Sequence, residues 1–222
     1  MRGINGLNEV VPLVFPITQD GAEVSAIFSM KNYDKADIYI MIGTVTKAGA
    51  VTLSQGAKVA AAATSLSFTK YFSTGFILDY TGGSVNTPAA EGETVTGSGG
   101  GVGYVKKDLG GTAGRLICYA YNGTTFVTGE TLTFSGGKTA VANGIQKNED
   151  IMVARTAASD TFNAAAVAAK TYCIPINGAM LTEGNTSVKV SIADMDTTGV
   201  VAFAVLGDPR YIGSPGETAI YD

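Results

Sequence analysis

An internal repeat is the feature of this sequence that most restricts its fold. Residues 92–100 read GETVTGSGG, and residues 129–137, which lie 37 positions further on, read GETLTFSGG. An apolar segment precedes each copy, at 76–80 (FILDY) and at 116–121 (LICYAY). Each copy therefore predicts an apolar strand, a Gly-Glu-Thr turn, a Thr-rich strand and a glycine turn. The two copies are expected to pack on each other, because neither unit buries its apolar face alone.

The segments on both sides of the repeat also have strand patterns. Residues 24–30 are apolar at every second position, which is typical of a half-buried strand. The run IYIMI at 38–42 is β-branched and aromatic, which favours a core strand. Further strands are predicted at 172–176, 186–192 and 200–206. Gly49 and the loop 194–199 each predict the turn of a hairpin.

Two alanine-rich segments are the helix candidates. Residues 55–64 favour a helix, and residues 160–170 fit a short helix or a loop followed by a strand equally well. The predicted fold class is all-β, with a β-sandwich or barrel-like core, an inserted two-repeat β-subdomain and one or two short helices. The predicted division begins with an N-terminal arm at 1–20 and a core formed by 21–74 together with 149–212. The inserted subdomain is predicted at 75–148 and an extended C-terminal tail at 213–222.

The N-terminal arm is the first of two predicted contact segments. Pro12 and Pro16 disfavour a helix there, and the arm is too apolar for a free tail. It is expected to dock either on its own domain or on a neighbouring subunit, and the sequence leaves both alternatives open. The candidate assembly contacts of the arm and the tail are Val10, Val11, Leu13, Phe15, Pro209, Tyr211, Ile212 and Tyr221.

Charge and composition restrict the partners. Charged residues make up only 15% of the chain, below the usual quarter, and hydrophobic residues make up 45%. Such a chain either hides much of its surface in an assembly or carries a neutral surface rich in Thr, Ser and Gly. The net charge is −4 and the 15 basic residues are scattered, with Lys106 and Lys107 as the one adjacent pair. Nucleic acid is therefore not expected as a direct partner, because phosphate binding needs clustered cations.

The chain contains no histidine, which removes the commonest general base and the commonest zinc ligand. Cys118 and Cys173 lie in apolar runs and are interpreted as buried free thiols, although a disulfide between them also fits the sequence. No Cys-x-x-Cys spacing occurs, and no metal or cofactor is predicted. The N-terminus lacks a signal-peptide pattern and no apolar run reaches 18 residues, so assembly in the host cytoplasm without membrane contact is expected.

The glycine-rich stretches do not fit nucleotide-binding motifs. A phosphate-binding loop ending at Gly137-Lys138-Thr139 would need glycine at position 132, which is leucine. A dinucleotide loop starting at Gly97 would need glycine at position 102, which is valine. The repeat explains these glycines better, as turn residues with positive φ.

Two pairs of carboxylates are candidates for a site. Asp194 and Asp196 have the spacing of two calcium ligands, but no closing acid follows, and a turn is the favoured interpretation. Glu93 and Glu130 occupy equivalent repeat positions, whereas a glycosidase pair would face each other across a cleft. Residues at equivalent repeat positions more often do one structural job twice, such as accepting backbone amides in a turn. No catalytic residue is predicted, and the chain is not expected to be an enzyme.

Several segments resemble virion proteins of tailed phages that are found beside the major capsid protein. The first segment runs from 43 (GTVTKAGAVTLSQ) to 70. The second group comprises 158–162 (ASDTF), 171–174, 188–192 and 201–211. The Gly-Glu-Thr repeat resembles turns in phage head and tail adhesin modules. The resemblance implies a structural role at the capsid surface as a decoration or cement protein. It also implies contact with the major capsid protein and with copies of the chain, since such proteins commonly assemble as trimers.

Three functions follow from the sequence. The leading hypothesis is a decoration or cement protein that bridges coat subunits, so that a chain without residues 1–17 is expected to fold but not to bind particles. The alternative is a tail- or fibre-associated module whose repeat subdomain binds a host surface. A polysaccharide hydrolase that uses Glu93 and Glu130 is a distant third.

Overall fold

The computed structural model divides the chain into two compact units. Unit 1 comprises Met1–Phe72 and Ala154–Asp222, and unit 2 comprises Ser73–Val153. The structure describes residues 9–43, 47–58, 62–82, 89–111, 113–119, 124–146, 152–157, 159–164, 170–196 and 199–210.

The described residues form an all-β protein, as the sequence predicts, with one short 3-10 turn at Gly178–Met180. Its strands are β1 (Glu9–Ile17), β2 (Glu23–Val24), β3 (Phe28–Ser29), β4 (Tyr33–Ile42), β5 (Gly49–Gly56), β6 (Thr64–Ser65), β7 (Lys70–Thr81), β8 (Thr94–Gly97), β9 (Val102–Asp108), β10 (Ala113–Tyr119), β11 (Thr131–Phe134), β12 (Thr139–Ala142), β13 (Met152–Thr156), β14 (Thr161–Ala164), β15 (Lys170–Asn177), β16 (Ser187–Ile192) and β17 (Val200–Pro209).

Unit 1 is an antiparallel β-sandwich. Its first sheet, called sheet A, has the strand order β1-β17-β4-β15. Sheet B has the order β14-β5-β16-β2, with β3 on β16 and β6 on β5. Alternate residues point between the sheets, for example Ile38 and Ile40 from sheet A and Leu53 and Val190 from sheet B, and all four are fully buried. Period-two alternation therefore places one row of each strand in a common core.

Unit 2 is a six-stranded antiparallel barrel. The strand order is β7-β10-β9-β8-β11-β12, and β12 pairs with β7 again through Val141–Thr81 and Ala142–Tyr80, which closes the sheet. Closure leaves no unpaired sheet edge between these strands. The interior is filled by buried side chains that include Phe76, Leu116 and Phe134.

The two repeat copies pack on each other inside the barrel, as the sequence predicts. Their Thr-rich strands, β8 and β11, are antiparallel, and the equivalent residues Thr96 and Thr133 are direct partners. The glycine turns are joined reciprocally: the Ser98 amide donates to the Thr131 carbonyl at 2.9 Å, and the Ser135 amide donates to the Thr94 carbonyl at 2.9 Å. A local twofold axis therefore passes between the copies.

The helix predicted at 55–64 is wrong where the structure describes it, and at 160–170 the described residues form strands, so the helix alternative is wrong there. Gln55 and Gly56 end β5, and Thr64 begins β6, while residues 59–61 lie outside the described residues. The Gln55 side chain is buried and its Oε1 accepts a hydrogen bond from the Thr182 amide at 2.8 Å. In the second segment, 161–164 form β14 and Lys170 begins β15, with 165–169 outside the description. Sheet pairing thus overrides the helix propensity of alanine, which is the highest of all residues but exceeds that of the others by only a few tenths of a kcal/mol each.

The two predicted hairpins are also wrong. Gly49 does not form a turn but begins β5, and β4 and β5 belong to opposite sheets of the sandwich. The loop 194–199 likewise joins β16 of sheet B to β17 of sheet A. A glycine or polar loop between two apolar runs has the same sequence signal whether it joins neighbours in one sheet or crosses to the other.

Replacing Gly103 with alanine is expected to lower the free energy of unfolding by about 1–3 kcal/mol, because the added methyl group would overpack the core. Gly103 lies in β9, and a Cβ there would lie 2.9 Å from Cε1 of Phe76, a fully buried ring. Urea unfolding followed by circular dichroism measures the change. Gly21→Ala is the matched control, since a Cβ at that position would have no atom within 4 Å, and it is expected to be nearly neutral. Equal stabilities for the two variants would contradict the packing argument.

Candidate assembly interface

The outer surface of sheet A is apolar, which is unusual for a sheet whose other face already fills a core. In β4 the inward residues Ile38 and Ile40 are buried, whereas Tyr39 is partly exposed and Met41 is 45% exposed. In β17 Ala202 and Ala204 point inward, and the outward row consists of partly exposed apolar side chains. This surface is called the outer face of sheet A, and its central residues are Tyr39, Met41, Cys173, Val201, Phe203 and Val205.

Aromatic stacking forms the centre of this face. Phe203, Tyr39 and Cys173 are direct cross-strand partners on β17, β4 and β15. The Tyr39 and Phe203 rings stack with centroids 5.2 Å apart and planes 17° apart. Burial raises the pKa of Tyr39, and it raises the pKa of the Cys173 thiol to about 11. Cys173 is only 9% exposed, so neighbouring side chains already cover this part of the face.

The outer face of sheet B is mainly polar, so the two sides of the sandwich differ. Most of its outward residues are partly exposed, as are most of those of sheet A, although Asn163 is exposed and Cys173 is buried. They carry hydroxyl, amide and ammonium groups, and Thr52 Oγ1 donates to Thr161 Oγ1 at 3.3 Å. The outward row of sheet B contains Thr52, Ser54, Thr161, Asn163, Lys189 and Ser191, together with Ala50 and the 60% exposed Val24 at the edge. A solvated antiparallel sheet normally has this polar outward row, which sheet A lacks.

Charged side chains lie at one end of the outer face of sheet A. Asp37 lies two residues before Tyr39 on β4, and burial raises the pKa of its carboxyl while Lys35 acts in the opposite direction. Lys35 forms an ion pair with Asp208. The remainder of the face, from Tyr39 to Met41, is uncharged.

An apolar cleft of about 280 Å³ continues the face at its other end. Pro16 of β1 forms one wall, and the ends of β4 and β17 form the others. The full lining is Pro16, Met41, Ile42, Gly43, Gly199, Val200 and Val201. Phe15, immediately before Pro16, is 71% exposed. A partner side chain could therefore enter the cleft while Phe15 contacts the partner beside it.

Hydrogen bonds to the connections hold these strands in place. The buried Gln19 donates from Nε2 to the Ala193 carbonyl at 3.0 Å and accepts at Oε1 from the Met195 amide at 3.1 Å. The segment after β1 is thereby fixed to the crossing between β16 and β17. The Tyr33 hydroxyl donates to Glu9 Oε2 at 2.8 Å, which joins the start of β4 to β1.

The predicted arm contacts separate into two groups. Residues 9–17 form β1 and pair with β17, so this part of the arm docks on its own domain, one of the two alternatives left open. Val11 and Leu13 are buried in the core of unit 1, whereas Val10 and Pro209 are partly exposed and Phe15 is largely exposed. Tyr211, Ile212 and Tyr221 lie outside the described residues. Deleting residues 1–17 would remove a sheet strand, so substitution of Phe15 is the better test of contact.

Glu93 and Glu130 each pack against the glycine turn of the other repeat copy. Glu93 lies against Gly136, its Oε1 accepts from the Ala90 amide at 3.1 Å, and Lys138 Nζ is 3.5 Å away. Glu130 lies against Gly99, where a Cβ would overlap its carboxylate. Among the described residues, Oε2 of both carboxylates is buried without a hydrogen-bond partner. The equivalent positions thus do the same structural job twice, as the repeat predicts.

Asp194 and Asp196 bind a side-chain cation. Lys47 Nζ lies 2.9 Å from Asp194 Oδ2 and 3.3 Å from Asp196 Oδ2. Hydrogen bonds from Lys47 and from the Asp196 amide lower the pKa of Asp194. The described residues contain no group of three or more His, Cys, Asp or Glu placed to hold a metal ion. The lysine ammonium occupies the position that the calcium hypothesis assigned to a metal.

Cys118 and Cys173 are both buried free thiols, so the disulfide alternative is wrong. Burial raises the pKa of both thiols. Within the described part of the chain, no helix has the length and hydropathy needed to cross a bilayer.

The outer face of sheet A was missed at the sequence level, although a signal for it exists. The run 38–42 and the run 200–206 are apolar at odd and even positions alike. In a strand, odd and even positions point to opposite faces. A run without alternation inside an antiparallel sheet therefore indicates that both faces are covered, and this is the property that distinguishes β4 and β17 from β5 and β16.

The fold and the site define an all-β protein with a sandwich, a closed barrel and one apolar sheet face. No protein-family model matches the sequence, and no curated protein matches it. Two solved structures overlap most of the chain. A structure of infectious bursal disease virus, Gx strain, has 9% identity, covers 89% of this chain and 79% of its own, and has a TM-score of 0.18. The crystal structure of the VP2 subviral particle of infectious bursal disease virus has 8% identity, and the match covers 91% of this chain and 81% of the VP2 chain. Its TM-score is also 0.18. TM-scores this low do not establish a shared fold, and nothing is transferred from those viral structures to this chain.

Proposed function

We propose that this chain is a non-enzymatic structural subunit of a virus particle, which decorates or cements the capsid of a tailed phage. The observation that carries the proposal is the apolar outer face of sheet A, bordered by the exposed Phe15. The resemblance of the sequence to tailed-phage virion proteins directs the proposal to the capsid. The major capsid protein and further copies of the chain are the proposed partners.

The mechanism is the burial of apolar area between subunits. Transfer of apolar surface out of water contributes about 25 cal/mol per Å², although ordering costs reduce what remains as affinity. Low surface charge, with 15% charged residues in the whole chain, limits the desolvation cost of such contacts. Repetition over a closed lattice adds avidity, because a subunit held at one contact rebinds at the others.

Binding to capsids that were assembled without this protein tests the proposal. The wild-type chain is expected to co-sediment with these capsids to saturation and to raise the temperature at which they disassemble. Phe15→Asp is expected to weaken the binding at least tenfold, because Phe15 is exposed and its loss does not open the core of unit 1.

Asn163→Asp, on the polar outer face of sheet B, is the matched control and is expected to bind like the wild type. Saturable binding to host cells combined with no binding to capsids would overturn the proposal and favour the tail- or fibre-associated module. Cleavage of a host polysaccharide that is lost in Glu93→Gln or Glu130→Gln would overturn its non-enzymatic part.

A further inference from the structure

We propose that Glu130, at one end of the barrel of unit 2, is a binding site for the ammonium group of a lysine side chain that another protein presents. The site does not use the outer face of sheet A, so the inference goes beyond the proposed function. The internal repeat carries it, because one repeat copy contains a lysine that pairs with its glutamate and the other copy lacks that lysine.

The glycine turns of the two repeat copies have the same backbone hydrogen bond. In the first turn the Gly97 amide donates to the Gly101 carbonyl at 2.8 Å, and in the second the Phe134 amide donates to the Lys138 carbonyl at 2.9 Å. Both residues of the second bond lie 37 positions after those of the first, which is the offset of the repeat. Gly101 is therefore the structural equivalent of Lys138.

The two glutamates differ in whether a cation is present. Glu93 Oε1 lies 3.5 Å from Lys138 Nζ, and the side chains of both residues are mostly buried, at 16% and 21% exposed. Among the described residues, no ion pair or hydrogen bond joins the Glu130 carboxylate to another group. A carboxylate that is partly buried without such a partner is costly, and a cation placed beside it offsets that cost.

The position of the enclosed oxygens shows which atom of Glu130 can receive a ligand. Oε2 is buried without a hydrogen-bond partner in Glu93 and in Glu130 alike. In Glu93 the lysine ammonium accordingly approaches Oε1. Glu130 is partly exposed, so its Oε1 is the atom to which an incoming ammonium group would donate.

Close packing prevents the first turn from supplying this cation itself. A Cβ at Gly101 would lie 2.9 Å from the Thr124 carbonyl oxygen and 3.2 Å from two ring carbons of the fully buried Phe126. A backbone carbonyl and a core ring cannot move aside at low cost. Position 101 therefore has no room for a lysine side chain, and the cation that completes the Glu130 site has to come from outside this turn.

The residues beside Glu130 favour a lysine side chain over a metal ion. Calcium takes about six to eight oxygen ligands, whereas Glu130 provides a single carboxylate. Val127, whose carbonyl accepts from the Glu130 amide at 3.3 Å, is 46% exposed. Ile145 is 65% exposed and lies next to Val127, because the Gln146 amide donates to the Phe126 carbonyl at 3.0 Å. A lysine packs its apolar stem along such side chains while its ammonium group reaches a carboxylate.

An NMR titration of the purified, isotope-labelled chain with Nα-acetyl-lysine methylamide tests the inference. This probe carries the lysine side chain but no free α-amine or carboxylate. The amide signals of the turn 97–101 are expected to shift with half-saturation at about 10 mM, the affinity of one hydrogen bond between charged groups. The turn 134–138 is the internal control, and its signals are expected to stay constant because Lys138 already pairs with Glu93.

Two variants test the carboxylate and the equivalence of the two turns. Glu130→Gln is expected to weaken probe binding at 97–101 at least tenfold, since the amide keeps the shape of the side chain and removes its charge. Lys138→Ala leaves the Glu93 carboxylate without its ammonium partner, so the turn 134–138 is expected to respond to the probe as 97–101 does in the wild type. Amide signals outside the substituted turn that keep their wild-type positions establish that each variant is folded.

Methylammonium and potassium, added at the same ionic strength, are expected to bind more weakly than the probe, because neither has an apolar stem. Equal binding of either cation would overturn the inference, as would a wild type that shows no shifts up to about 100 mM probe. Binding that survives in Glu130→Gln would also overturn it, and so would a turn 134–138 that stays unresponsive in Lys138→Ala. No capsid is present in these titrations, so the inference and the proposed function fail independently.

Discussion

Asp108→Ala is expected to destabilise unit 2 by about 3 kcal/mol, because one carboxylate satisfies three donors at the end of β9. Its Oδ1 accepts from the Tyr80 hydroxyl at 2.8 Å and from the Gly110 amide at 2.8 Å, and its Oδ2 accepts from the Ala89 amide at 2.8 Å. Hydrogen bonds to a charged group contribute about 1.5–3 kcal/mol each, and a buried donor left without a partner carries the full desolvation cost. Tyr80 is fully buried, so its hydroxyl loses the Asp108 carboxylate as acceptor and regains at most a water that enters the space of the removed side chain.

Urea unfolding followed by circular dichroism measures the effect of Asp108→Ala. Asp79→Ala is the matched control, since Asp79 forms an exposed two-pronged ion pair with Arg115 at 2.6 and 3.1 Å in the same barrel. Exposed pairs contribute about 0–1 kcal/mol, and a loss in that range is expected. Asp108→Asn is expected to fall between the two, because an amide oxygen keeps one acceptor. A loss for Asp108→Ala no larger than that for Asp79→Ala would show that the three hydrogen bonds do not act as argued.

The barrel is the part of the fold that the sequence predicts best, because its signal is internal to the chain. The repeated Gly-Glu-Thr motif requires two similar units, and two such units are expected to pack together. The structure pairs β8 with β11 and places Glu93 and Glu130 in equivalent positions. The closure of the sheet through β12 and β7 could not be predicted, because it depends on non-local pairing that has no local sequence signal.

The sandwich is predicted less well for a physical reason. The connections around Gly49 and at 194–199 satisfy the rules for hairpin turns, yet both cross between sheets. Turn chemistry specifies where a chain reverses, and packing of the strands decides which neighbour the next strand meets. Alanine at 60–63 favours a helix by only a few tenths of a kcal/mol per residue, which sheet pairing on either side easily outweighs.

Only part of the candidate site can be predicted from the sequence. The apolar character of the arm predicts contacts there, but the side chains of Val11 and Leu13 are buried inside their own domain. Of the four candidate contacts in the arm, Phe15, which lies within the irregular pairing of β1, is the one that is largely exposed. Apolar composition alone does not distinguish a residue that fills its own core from one that awaits a partner. The distinction needs the strand register, which in β4 and β17 shows apolar residues on both faces.

Lys170→Met is expected to stabilise the protein at and below neutral pH, because it removes a buried charge. Lys170 begins β15 in the inward row with Tyr172 and Ile174, and it is 7% exposed. Burial, followed by the charge of Arg155, lowers the pKa of Lys170 to about 7. In the described part of the chain, no acidic side chain forms an ion pair with it. A buried cation without such a pair favours its neutral form.

The sign of the pH dependence follows from proton binding. Between about pH 7 and the ordinary pKa of 10.5, folded Lys170 has released its proton and unfolded Lys170 has kept it. The unfolded state therefore binds more protons, and the wild type gains stability as pH rises through this window. Below about pH 7 both states are protonated and the full penalty is present. It is at most roughly 5 kcal/mol, since one pKa unit corresponds to about 1.4 kcal/mol.

Urea unfolding at pH 6, 8 and 10 compares Lys170→Met with the wild type. Structural relaxation around the ammonium lowers the effect below its upper bound, and a gain of about 2 kcal/mol is expected at pH 6. The gain should shrink steadily at pH 8 and nearly vanish by pH 10, where neither folded protein carries a charge at this position. Lys189→Met, in the outward row of β16, is the control and is expected to show a small difference that does not depend on pH. A gain for Lys170→Met that stayed constant from pH 6 to pH 10 would show that methionine packs better in the core, and that burial of the lysine charge has no part in the effect.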